Sequence, residues 1–258
     1  MSNWKEKIVV VTGGSAGLGK AIAGEFAAAG ATVISISRSA QKDSENVSHL
    51  QADVTDDDSV KQVIQTIIDR HQRIDVWVNN VGQSTRANFT ECTVEDYRQM
   101  FEINLLTAVR CTMGVLPHLK QSGGSVVLIG TLASRTGWRN IAPYVVSKHA
   151  LSGFAHQLRL EKPENVHSLF VCPGPIRRDD SQARYQDQAK AKGLDKAVAA
   201  PGAGVKISGI EPEKLAAKIR IALEKRKAEI VMPWKARLMF SVLQLSPRVG
   251  DWLLRKFS

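Results

Sequence analysis

Apolar residues along the chain fall into two alternating rhythms. Short runs at Ile8–Val11, Thr32–Ile36, Asp75–Val78, Ser125–Ile129 and Val166–Val171 are rich in β-branched side chains and almost free of charge. That is the pattern of strands buried on both faces. Between them, apolar positions recur at helical spacing. Leu18–Ala29 carries Ile22 and Phe26 and stops at Gly30, and Val60–His71 carries Val60, Val63, Ile64, Ile67 and Ile68 on one face. Asp96–Leu119, Pro143–Leu160 and Pro212–Lys227 predict three further helices, the first with Pro117 near its end. Strand and helix alternating in this way predict a doubly wound, Rossmann-like α/β fold, with a parallel sheet covered on both faces and right-handed crossovers. No repeat, low-complexity tract or linker divides the pattern, so residues 1–233 read as one domain. Residues 177–210 are polar, and a connection that long predicts a lid. Residues 234–258 stand apart as a basic and aromatic tail.

The first strand runs into Thr12-Gly13-Gly14-Ser15-Ala16-Gly17-Leu18-Gly19-Lys20. Glycines there let the backbone turn tightly and approach a phosphate, which the next helix meets with free N–H groups and its positive dipole end. Gly14 and Gly19-Lys20 match most of a nucleoside-triphosphate loop, but Ala21 stands where a magnesium-binding hydroxyl is needed. The glycine spacing also departs from the common dinucleotide fingerprint. A plain strand-to-helix turn would explain one glycine and not four, so a phosphate-binding turn is the reading retained. At the end of the second strand, Ser37-Arg38-Ser39 lacks the carboxylate that would accept from an adenine ribose. A guanidinium in its place suits a 2′-phosphate and predicts NADP(H), although alone Arg38 could equally be a solvated loop residue. Asp53 could accept from an adenine amino group or cap the next helix.

Composition narrows the class. The chain has 258 residues, 43% hydrophobic and 23% charged, which excludes disordered, collagenous and disulfide-scaffold proteins. Cys92, Cys111 and Cys172 lie far apart, so no zinc ribbon or disulfide framework is expected, and no metal site. No apolar run is long enough for a membrane span, and the early strand leaves no room for a signal peptide, which together predict a cytoplasmic protein. The net charge of +10 is concentrated at one end, since residues 212–258 hold eleven basic side chains against four acidic. In the tail, Trp234, Phe240 and Trp252 are interleaved with Lys235, Arg237 and Arg248. That mixture suits an interfacial helix and peripheral membrane contact, but also packing over a substrate pocket or against a second subunit. Nucleic acid is not expected, because no binding motif accompanies the charge.

Tyr144 and Lys148 are four apart in a predicted helix and share a face. A phenol is a poor acid or base near neutrality, and a neighbouring ammonium favours its anion. Just upstream, the strand Ser125–Ile129 ends in Gly130-Thr131, placing a hydroxyl at the carboxyl edge of the sheet, where ligands bind in such folds.

With these residues the chain resembles the short-chain dehydrogenase/reductase family. The resemblance is carried by Thr12 to Gly19, Asp53-Val54, Asn79-Asn80-Val81-Gly82, Asn104, Thr131, Tyr144-Val-Val-Ser-Lys148 and Pro173-Gly174-Pro175-Ile176, in family order over about residues 5–235. It implies a seven-stranded parallel sheet and carbonyl–alcohol interconversion by hydride transfer. Tyr144 would be the general acid or base, and Lys148 would lower its pKa and hold the nicotinamide ribose. Thr131 would hydrogen-bond the substrate oxygen and Asn104 would hold a relay water. Asn80 and Gly82 would line the cofactor site, and Pro173, Gly174 and Ile176 would meet the nicotinamide amide. The family also implies a homodimer or homotetramer.

Three departures stand out. Thr131 replaces a more usual serine, leaving Ser134 as a second candidate hydroxyl. Arg177-Arg178 replace a cofactor-binding threonine, and Val81 replaces a common alanine. The resulting expectation is an NADP(H)-dependent carbonyl reductase or alcohol dehydrogenase acting on a hydrophobic substrate. A non-catalytic NADPH-binding sensor or scaffold is the alternative.

Overall fold

A computed structural model describes residues 4–177, 186, 187, 189, 190 and 209–257. The expected lid therefore lies almost wholly outside the described residues. Seven strands form one parallel sheet: β1 (Ile8–Thr12), β2 (Thr32–Ser37), β3 (Val47–Gln51), β4 (Val76–Asn79), β5 (Ser125–Ile129), β6 (His167–Pro173) and β7 (Glu229–Met232). Their order is β3-β2-β1-β4-β5-β6-β7, so the chain reverses its direction of travel between β1 and β4. The helices are α1 (Gly17–Ala28), α2 (Asp57–His71), α3 (Val94–Phe101), α4 (Thr107–Ser122), α5 (Ala142–Glu161), α6 (Pro212–Glu224), α7 (Lys235–Leu245) and α8 (Pro247–Phe257).

The unbroken apolar runs follow from a sheet buried on both sides. Val9 and Val11 of β1 face a core with Val78, Ile129 and Val171, closed by Ile22 and Phe26 of α1 and Leu215 and Ile219 of α6. Val10 between them points the other way, with Trp77, Leu128 and Phe170, under Val60, Ile64 and Ile67 of α2, Val115 and Leu119 of α4 and Leu151 of α5. The period of two along each strand assigns neighbouring valines to opposite cores. Strands β1, β2 and β4 to β6 and helices α1, α2, α5 and α6 match the sequence pattern within a few residues at each end.

Two findings differ from the pattern. The single helix predicted over Asp96–Leu119 is two, α3 and α4, joined by a π turn at Glu102–Leu106 that carries Asn104. The apolar spacing continues through that turn, which is why periodicity alone misses it. The helix also continues past Pro117 to Ser122 and stops at left-handed Gly123. The strand β3 has only Val47 buried, because it lies at the sheet edge and lacks the fully apolar signature.

The tail folds as a helical hairpin. Pro247 opens α8 rather than interrupting a longer helix, as a proline in the first turn can without losing a backbone hydrogen bond. Gly250 lets the two helices approach, since a Cβ there would lie 2.7 Å from the Leu243 carbonyl oxygen. Ala236, Phe240 and Leu243 pack on Leu132.

Candidate active site

The carboxyl ends of the strands open into a cavity of about 830 Å³. One end is built by the glycine turn. Gly13 and Gly17 hold φ of +65° and +52°, in the left-handed region that other residues rarely enter. Thr12 Oγ1 donates to the Val78 carbonyl at 3.1 Å and accepts from Asn80 N–H at 3.1 Å, and Asn80 Nδ2 donates to the carbonyls of Thr12 and Gly13 at 3.1 and 3.2 Å. These bonds pin the turn to β4 at the point where the strand order reverses. Helix α1 has no side-chain cap at Ala16 and no acid in its first turn, so its N-terminal N–H groups remain available to an anion.

Gly13, Ser15 and Leu18 line this end with Ser37, Arg38, Ser39, Asp53 and Val54. Thr12, Gly14, Gly17 and Gly19 are not among the lining residues, although they build the turn that carries Gly13, Ser15 and Leu18. Asp53 is turned to its own loop, accepting from Thr55 N–H at 2.9 Å and Thr55 Oγ1 at 2.8 Å. The Thr55 backbone N–H, with its hydroxyl, holds the Asp53 carboxyl below its usual pKa. The cap of α2 is Asp56, which accepts from Ser59 N–H at 2.7 Å. Asp53 therefore does not cap that helix.

The other end collects the candidate catalytic groups. Thr131, Tyr144 and Lys148 line the cavity with Asn80, Gly82, Pro173, Gly174 and Ile176. Thr131 caps the short turn Leu132–Ser134, where its Oγ1 accepts from Ala133 N–H at 3.4 Å. Ser134, the second candidate hydroxyl, is buried and accepts from Thr131 N–H at 3.1 Å. It supports the turn and is not among the cavity-lining residues. Arg135 follows at once and is ion-paired to Glu229 of β7, fixing the turn to the sheet.

Lys148 is buried, with Nζ donating to the Ile129 carbonyl at 2.9 Å. Burial pulls its pKa down to about 8. The ammonium is thus poised near neutrality. Asn104 is also buried, behind the cavity wall. Its Nδ2 donates to the Gln83 carbonyl at 2.9 Å and Ser147 Oγ at 3.0 Å, and its Oδ1 accepts from Gln83 N–H at 2.8 Å. The amide ties the 82–83 turn to α5 one residue from Lys148. A Cβ on Gly82 would fall 2.9 Å from Asn104 Oδ1 and 3.2 Å from Lys148 Nζ, so these three residues meet at one point.

No motif or period in the sequence marks the remaining walls. Gln83, Ser84, Arg86, Trp138 and Ile141 also line the cavity. They come from irregular segments, which carry no periodic signal. Cys172 lies in the core, and burial pushes its thiol up to about 12, so it is no nucleophile near neutrality. Among the described residues no group of His, Cys, Asp or Glu could hold a metal ion.

A family model described as short chain dehydrogenase matches residues 7–189. The chain belongs to the short-chain dehydrogenase family and has its Rossmann-like fold. It is similar to a "Dehydrogenase/reductase SDR family protein 7-like" of Dictyostelium discoideum, 32% identical over 192 residues, covering 68% of this chain and 60% of that protein. It is likewise similar to an L-fucose dehydrogenase of Bos taurus, 32% identical over 178 residues and 66% of each chain. The match spans less than two thirds of either relative. Among solved structures, a short-chain dehydrogenase from Streptomyces avermitilis superposes with a TM-score of 0.75 at 28% identity, covering 97% of both chains. Nicotinamide-cofactor binding is a family property, and the uncapped helix end, the left-handed Gly13 and the hydroxyl and guanidinium groups at 37–39 fit such a group.

Proposed function

We propose that this protein is an NADP(H)-dependent oxidoreductase that interconverts a carbonyl and an alcohol on a hydrophobic substrate. The observation that carries the reading is a single cavity lined by Thr131, Tyr144 and Lys148 at one end and by Ser37, Arg38 and Ser39 at the other. The phosphate end has a guanidinium where a carboxylate would repel a 2′-phosphate. Asp53 is committed to Thr55. A nicotinamide cofactor held along this cavity would supply or accept the hydride at the substrate carbon.

In the direction of reduction, Tyr144 gives its phenolic proton to the substrate oxygen while the Thr131 hydroxyl donates a hydrogen bond to that oxygen. The Lys148 ammonium stabilises the phenolate left behind and favours its formation in the reverse direction. Asn104 keeps Gly82 and Gln83 against Lys148, and a water held by Asn104 would carry the replacement proton. Arg135 and Ser134 act as positioning residues, because they hold the turn that presents Thr131. Leu132, Trp138, Ile141 and Ile176 give the substrate end apolar walls, which supports a hydrophobic substrate. Leu106 and Met113, with Val146 and Leu160 of α5, are exposed, which supports a homodimer or homotetramer through these helices.

The test is NADPH oxidation over ketones graded from short and polar to long-chain and steroid, with Tyr144→Phe as matched control. Turnover that rises with apolar length and falls at least about a thousandfold in the variant is the expected result. Tight NADPH binding with no turnover on any ketone would move the protein to the sensor or scaffold class.

A further inference from the structure

The hairpin of α7 and α8 has two apolar faces, and only one is covered. Ala236, Phe240 and Leu243 are buried on Leu132. Trp234, Leu238 and Val242 recur every fourth residue on the opposite side of the helix and are 67%, 62% and 48% exposed. A surface helix in water ordinarily turns polar residues outward. On α8, Val249 and Trp252 are exposed as well. No helix among the described residues is long and apolar enough to cross a membrane.

We propose that this outer face lies in the interface of an anionic phospholipid membrane, with the hairpin in the plane of the headgroups. Charge favours that occupant. Residues 234–258 contain five Lys or Arg against one Asp, and Lys235, Arg237 and Arg248 are exposed around the apolar row. A second copy docked on the same face would bring like charges together, whereas an anionic leaflet complements them. Tryptophan rings suit the headgroup level, where an apolar body meets a wet edge. The covered face of α7 packs on Leu132, which lines the cavity, so the same helix carries the docked surface on one side and backs a wall of the substrate end on the other. Delivery of a lipid-dissolved carbonyl along that wall rests on the oxidoreductase reading, but the docking does not.

The test is co-sedimentation of the full chain with phosphatidylcholine vesicles and with mixed phosphatidylcholine–phosphatidylglycerol vesicles, at low and high salt. It requires no turnover, so its failure leaves the enzymatic reading standing, and the reverse also holds. The wild type pellets with the anionic vesicles and is released by salt. Leu238→Glu/Trp252→Glu lowers the partition coefficient at least about tenfold, and Lys235→Gln/Arg237→Gln lowers it about fivefold for each charge removed. Circular dichroism melting checks the fold of both variants, and the charge variant stands independently if the apolar one unfolds. No binding to anionic vesicles at low salt, or binding unchanged in a folded Leu238→Glu/Trp252→Glu protein, overturns the proposal. A wild-type oligomer that dissociates in that variant without any vesicle binding assigns the face to a second copy.

Discussion

Replacing Lys148 with methionine should stabilise the cofactor-free protein while destroying its activity. Lys148 is 4% exposed, and burial holds its pKa at about 8 against an ordinary 10.5. At pH 7 the folded state must carry the charge in spite of that burial, which costs about 3 kcal/mol. The ammonium returns one hydrogen bond, to the Ile129 carbonyl, whose loss costs about 1 kcal/mol. Methionine keeps most of the aliphatic stem in a site of similar volume. The net expectation is a gain of about 2 kcal/mol at pH 7, read by urea unfolding. Because the folded pKa lies below the unfolded one, the unfolded chain binds more protons between about pH 8 and pH 10.5. Wild-type stability therefore rises across that window relative to Lys148→Met, the two proteins cross between about pH 9 and pH 10, and above that the wild type is the more stable by about the 1 kcal/mol of its hydrogen bond. A variant less stable than wild type at pH 7, or a gap that does not change with pH, would refute the view of Lys148 as a strained, desolvated cation held for function.

Two further substitutions probe the cofactor end and the scaffold. Arg38→Ala should raise the NADPH Kd by about 10- to 100-fold, since a charge-assisted bond to phosphate is worth about 1.5–3 kcal/mol. NADH binding should change by less than about threefold, and equal losses by fluorescence titration would remove the phosphate contact. Asp75 is buried and accepts from Arg73 Nε and Nη2 at 2.9 and 2.6 Å, Lys7 Nζ at 2.9 Å and Ile8 N–H at 3.0 Å. Burial pushes its carboxyl up, but the Arg73 fork, the Ile8 N–H and Lys7 outweigh it and hold the pKa below the usual range. Asp75→Asn should cost about 2–3 kcal/mol at pH 7 in urea unfolding. That stability is present above the unfolded carboxylate pKa of about 4 and is lost as pH falls through the depressed folded value, so variant and wild type should converge in acid.

The elements that could be read from the chain are those whose signal is local. Val9, Val10 and Val11 predict a strand between two cores because neighbouring side chains on a strand point to opposite faces. Tyr144 and Lys148 share a helix face because four residues nearly complete a turn, and the glycines of residues 13–19 announce a backbone that no other residue could follow. The seven-stranded sheet expected from the family resemblance is the sheet observed. Tertiary structure decided which distant segments meet. Register across β1 and β4 brings Asn80 to the glycine turn, and the crossover to β7 brings Glu229 to Arg135, 94 positions away in the chain. The π turn at Asn104 interrupts a helix whose apolar spacing continues through it, so nothing in the pattern marks it. Trp138 and Ile141 form cavity wall from segments with no period at all. That Thr131 and not Ser134 is among the cavity-lining residues was likewise decided by the fold. Both side chains offer the same chemistry, and only the turn they cap separates the one at the cavity wall from the one buried behind it.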